Sequence, residues 1–182
     1  KLQPTELAMI HALQSLVLLI FPALVIAGGL KDAATYTIPN WIPLALIGGF
    51  PLAALAMGLP LGAVGVQLAV GGLALVAGMT MFALRWIGGG DAKLFAAAGL
   101  WLGWPAAFTF VAVTAIAGGA LAVALLGLRS THVRPFVPNG PAWFARLAEP
   151  GENVPYGVAI AVGALAAYPF SLLVSGASVV PH

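Results

Sequence analysis

Asp32 and Asp91 are the two aspartates of the chain, and both stand where a long apolar stretch meets polar residues. Ionisable groups are costly to keep at the edge of a bilayer, so a pair of identical ones there marks function. Two carboxylates that share a proton can hydrolyse an amide by acid–base catalysis. The ionised member activates a water while the protonated member polarises the carbonyl. The two positions differ electrically. Asp91 opens a helix, whose positive end favours negative charge, and Asp32 follows the far end of another, which disfavours it. Asp91 is therefore expected to be the more readily ionised member, although a coupled pair titrates as a unit.

Asp91 lies in the run Gly88-Gly89-Gly90-Asp91-Ala92-Lys93. An aspartate at this place commonly caps a helix, but three glycines before it cost backbone entropy that a cap does not need. Their bare backbone would let a substrate approach closely. Asp32 alone reads as a loop residue balanced by Lys31. Lys93, two residues beyond Asp91, faces another side of the helix and reads mainly as an anchor at the membrane surface. His11 is expected to be packed within the bundle, and His132 has no companion ligands for a metal. Glu149 and Glu152 read as solvated. The serines, chiefly Ser15, Ser130, Ser171, Ser175 and Ser178, show no nucleophile pattern. No cysteine is present, which excludes disulfides, thiolate zinc sites and a cysteine nucleophile. Neither a metal nor a cofactor is expected.

Most of the chain is bilayer material. Of its 182 residues, 62% are hydrophobic and 7% charged, and the mean hydropathy is +1.06. Soluble domains carry roughly a quarter charged residues. Residues 7–30, 33–84, 94–128 and 153–182 are free of charge, and a span takes about 20 apolar residues. The chain is therefore expected to be all-α, a polytopic bundle of about six transmembrane helices forming a single membrane-embedded domain over 1–182. The expected helices cover about 7–30, 41–57, 61–84, 92–104, 106–128 and 155–175.

Asn40 is expected to cap the second helix and Trp41 to anchor it at the interface. Gly58-Leu59-Pro60 makes the next turn. Trp104-Pro105 should end the fourth helix, leaving it about 20 Å long at about 1.5 Å per residue. That is shorter than a hydrocarbon core of about 30 Å, so Asp91 should be recessed. Pro155 suits the first turn of the last helix, and Tyr156 would stand near the site's mouth. Gly58-x-x-x-Gly62 and Gly99-x-x-x-Gly103 permit close helix packing. Six spans put Lys31, Arg85, Lys93, Arg129, Arg134 and Arg146 on one side with both aspartates. Positive charge marks the cytoplasmic side, so both termini are expected outside. No basic run suggests nucleic acid.

Asp32 followed by Ile38-Pro39-Asn40, then Gly88-Gly89-Gly90-Asp91-Ala92-Lys93, resembles the type IV prepilin peptidases, intramembrane aspartyl proteases with a G-x-G-D signature. The segment Val154-Pro155-Tyr156-Gly157-Val158-Ala159-Ile160-Ala161 is similar to the short members that serve tight-adherence (Flp) pili. The resemblance extends from Asp32 to about Ala161. It implies that Asp32 and Asp91 are the catalytic pair, supported by Gly88, Gly89, Gly90, Lys93, Pro39, Asn40, Pro155 and Tyr156. It implies a bacterial inner-membrane enzyme whose substrate is a prepilin precursor. The short cytoplasmic leader would be cut off beside the pilin's hydrophobic helix, typically after a glycine. Pilus assembly proteins are implied as further partners besides the lipid bilayer. Larger members add a cysteine-bearing domain and methylate the new N-terminus. This chain resembles the peptidase-only form.

Two other classes fit the composition. A small proton-coupled transporter would keep its acids near the midplane and show an inverted repeat, and neither is seen. A non-catalytic subunit of a pilus or secretion assembly would tolerate asparagine at either aspartate. A presenilin-type protease would place its first aspartate beside a tyrosine, whereas Asp32 is flanked by Lys31 and Ala33.

Overall fold

A computed structural model describes residues 3–130, 142–149 and 152–177. His132, Arg134, Pro135, Pro138, Pro141 and Ser178 lie outside them. The described residues form a helical membrane bundle with no strand: α1 (Pro4–Thr35), α2 (Trp41–Ala56), α3 (Leu61–Ala83), α4 (Gly89–Leu128), α5 (Ala142–Leu147), α6 (Tyr156–Ala167) and α7 (Leu172–Ala177). A 3-10 turn, Tyr168–Phe170, links the last two, so the final helix expected over 155–175 is interrupted. Pro169 lies within that turn and withholds a backbone donor.

α1, α3, α4 and the run from α6 through α7 are long and apolar enough to cross a membrane, and α2 is apolar but shorter. α4 is two helices in one. Gly103 (φ 59°, ψ −164°) and Trp104 (φ −95°, ψ 136°) leave helical geometry, giving a first arm over 89–102 and a second over 105–128. The expected break at Trp104-Pro105 therefore begins one residue earlier. Gly103 takes a positive φ that side chains disfavour, and the buried Gln67 amide of α3 lies against it where a Cβ would stand.

The first arm is the central post of the bundle. Asp91, Ala92 and all of residues 94–103 are buried, and α1, α2, α3 and α6 all pack on α4. Glycines set the closest approaches: a Cβ on Gly71 would come within 3.0 Å of Leu100, and one on Gly78 within 3.0 Å of Ala92. Gly99 serves the same contact, as expected of close packing. Gly58 instead makes a left-handed turn (φ 64°), and Gly62 faces open space, so that pair is not a packing contact. His11 is exposed rather than packed within the bundle.

At the end away from the aspartates, Phe21 stacks on Tyr168 (4.6 Å) and leans on Trp101 (5.5 Å). Trp101 is wholly buried and its Nε1–H donates to the Leu46 carbonyl at 2.7 Å. Trp101→Phe removes that bond and leaves a void. It is expected to cost about 2 kcal/mol, read as a lower thermal midpoint in detergent.

Candidate active site

Asp32 is carried by the last turn of α1, not by a loop beyond it. The helix runs on to Thr35, whose hydroxyl donates to the Lys31 carbonyl at 2.8 Å. It ends at Tyr36, which takes the left-handed conformation (φ 54°) while its N–H donates to the Asp32 carbonyl. Lys31 is exposed and Asp32 buried, so the helix leaves its apolar stretch with one side wet and the other packed.

Asp91 lies in the first turn of α4 rather than at its cap. Gly88 holds the cap position, and its N–H donates back to Asp91 Oδ2 at 3.0 Å. Gly89 and Gly90 are already helical. Within the run only Gly88 is non-helical, in an extended geometry that any residue adopts. A Cβ on Gly90 would come within 3.0 Å of Ile38 Cβ and 3.3 Å of its backbone, so the glycine lets the α1–α2 connection press against the helix that bears Asp91.

The two carboxylates border a common space. Two adjoining cavities, of about 260 and 230 Å³, share Asp32, Tyr36, Gly88 and Asp91 in their walls. Asp32 is 4% exposed and Asp91 6%, so both face this space from within protein. Asp32 Oδ2 accepts the Gly157 N–H at 2.7 Å. That amide belongs to the first turn of α6, whose leading N–H groups have no partner within their own helix. The positive end of α6 therefore opposes the negative end of α1 at Asp32, a second dipole that a reading of α1 alone omits. Asp91 Oδ1 is buried without a hydrogen-bond partner.

The other expected site residues divide. Gly88, Gly89 and Gly90 line the smaller cavity and Tyr156 the larger. Pro155 is buried at the cap of α6. Lys93 and Asn40 lie elsewhere: Lys93 Nζ donates to Asn40 Oδ1 at 2.9 Å, at the edge of a separate apolar cavity of about 480 Å³ between α2 and α3. Asn40 stands before α2 as expected but makes no side-chain cap, its oxygen being taken by Lys93. Pro39 precedes it, and its carbonyl accepts the Ile42 N–H at the start of α2.

Three residues that sequence reasoning passed over shape the site. Tyr36 follows Asp32 by four residues, which puts it one helical turn on. Its buried hydroxyl makes no well-formed hydrogen bond. Burial pushes the phenol's pKa up, and the Arg129 guanidinium nearby opposes that rise. Arg85 also borders the larger cavity. Tyr36 and Arg85 are the two described non-glycine residues with positive φ, and such backbone concentrates at functional sites. Arg129 is the third. Its guanidinium donates to the carbonyls of Leu147 (2.9 Å), Glu152 (2.7 Å) and Asn153 (2.9 Å), tying the approach to α6 onto the end of α4.

A family model for the type IV leader peptidase family matches residues 19–123, more than half of the chain and both aspartates. The chain belongs to that family. This member is a multi-pass membrane peptidase, and the matched segment runs from α1 into the second arm of α4. Comparisons with curated proteins and with solved structures returned no match.

Proposed function

We propose that this leader peptidase is an aspartyl endopeptidase that removes the short hydrophilic leader of a pilin-like precursor of the tight-adherence type, without methyl transfer. One observation carries the reading: two buried carboxylates on different helices border one space, each held by a backbone amide. Like charges at close quarters favour a single shared proton. The ionised carboxylate takes a proton from a water, whose oxygen adds to the scissile carbonyl carbon. The protonated carboxyl gives its proton to the carbonyl oxygen. Collapse of the tetrahedral intermediate breaks the C–N bond: the departing amine receives the proton held by the first carboxylate, and a hydroxyl of the intermediate returns its proton to the second.

Lys31, Arg85, Lys93, Arg129 and Arg146 stand at the aspartate end of the helices. Basic residues gather on the cytoplasmic side, which supports cleavage there. The test is co-expression with a small Flp-type precursor, reading leader loss by mass spectrometry, for the unmodified chain and for Asp32→Asn and Asp91→Asn. Leader loss in the first alone supports the reading. Leader loss in all three moves the assignment to an assembly role.

Arg129→Gln in the same assay checks the tie behind α6. Glutamine cannot serve three carbonyls at once, and bonds from a charged donor contribute about 1.5–3 kcal/mol each. Leader removal is expected to fall about tenfold, with membrane insertion unchanged.

A further inference from the structure

The geometry points to a docking groove for the precursor's hydrophobic helix, between the end of α3, the second arm of α4 and α6. The inference rests on the prepilin-type substrate proposed above and assigns that substrate's membrane segment a place.

A cavity of about 260 Å³ lies there, distinct from the two at the aspartates. It has two lining residues, Ile87 and Tyr156, in common with the larger aspartate cavity. The Tyr156 ring rests on Gly118, where a Cβ would come within 3.2 Å of it. Tyr156 and Ile87 thus form the threshold between the carboxylates and the groove. From that threshold the groove follows one face of α4, where Val111, Ala115 and Gly119 recur every fourth residue and are exposed. Eight residues of helix measure about 12 Å, or about two turns of a helix lying alongside.

This shape selects a helix as occupant. Small residues let two helix backbones approach within a bilayer, where packing rather than water exclusion drives association. Phe95 and Ile160 form apolar inner walls able to receive side chains from one face. The polarity also matches: the groove leads inward from the carboxylates, as a helix beginning just after a scissile bond requires. The larger apolar cavity, of about 480 Å³, shares no lining residue with either aspartate cavity. Its edge carries the exposed Lys93–Asn40 bond.

The chain has no cysteine, so single ones report position without background. Gly119 lines this groove and Gly72 the larger cavity, and at both a Cβ meets nothing within 4 Å. Neither Gly119→Cys nor Gly72→Cys therefore disturbs packing. Each is combined with Asp91→Asn and co-expressed with a precursor bearing one cysteine two turns into its hydrophobic helix. A short bismaleimide is then added to membranes. Cross-linking at Gly119→Cys several-fold above Gly72→Cys is expected. Equal cross-linking, none at either, or an excess at Gly72→Cys overturns the proposal.

In the chain with both aspartates, Gly119→Phe should slow leader removal at least about tenfold and Gly72→Phe less than about twofold. The reverse order overturns the docking site. The two readings separate cleanly. Cross-linking at position 119 with no leader removal by the unmodified chain leaves the groove standing and the peptidase reading fallen. Leader removal without that cross-link does the opposite.

Discussion

Asp91→Asn is expected to lower leader removal at least about a thousandfold, and Asp32→Asn to do the same. The substitutions are isosteric, and the structure shows why they should spare the fold. Each new amide keeps an oxygen that accepts the existing backbone donor, Gly88 for one residue and Gly157 for the other. What is lost is chemical: an amide neither takes a proton from water nor delivers one to a carbonyl oxygen. Alanine at either position behaves differently. At Asp32 it strips the buried Gly157 N–H of its acceptor, which costs about 1–3 kcal/mol, so Asp32→Ala should lose thermal stability in detergent while Asp32→Asn keeps it, and Asp91→Ala, whose donor Gly88 is exposed, should lose less. Leader release by either asparagine variant above a tenth of the unmodified rate would sink the acid–base assignment.

Gly157→Ala should come next in size, with a rate loss of about a hundredfold. An added Cβ would lie 2.8 Å from Asp32 Cβ, 2.9 Å from its Oδ2 and 2.9 Å from Ile38 Cδ1. Ile38 Cδ1 ends a side chain that can turn aside, but Asp32 Cβ is fixed to its backbone and cannot. Asp32 is fixed to α1 and bonded to the Gly157 amide itself, and Ile38 is wedged against Gly90. The start of α6 or the end of α1 must therefore shift, and reacting groups misplaced by about 1 Å cost that much rate. Gly62→Ala, in open space on α3, is the control and should cleave normally. An alanine at position 157 that cleaves at the full rate would show that Asp32 needs no such support.

The bundle was legible because its signals are local. Charge-free runs set the spans, and Trp104-Pro105 announced the break in α4 that makes one long apolar run two helices. The aspartate pair was visible as the residues least at home in such a chain. What stayed hidden depends on contacts far apart in sequence. Gly157 looked like one of many glycines, yet it donates to a carboxylate 125 residues away. Arg129 read as one more positive charge, although its three bonds organise the approach to α6. Asn40 had the right type to cap α2, but a lysine from another helix took its oxygen. Tyr36 alone left a trace, its spacing of one helical turn from Asp32.

α3 buries only Gln67, Gly71 and Gly78 among its 23 residues. Its extensive packing is on α4, while Leu61, Leu68, Leu73 and Val76 point outward. In water such a helix would be pinned by the cost of wetting its surface, but lipid is as apolar as leucine and exacts no such cost. What holds α3 is therefore its glycine-lined contact with α4. Met81 borders the groove beside α6, and Phe82 borders the aspartates. A larger side chain at Gly71 or Gly78 would therefore disturb two walls at once, that of the groove and that of the carboxylates.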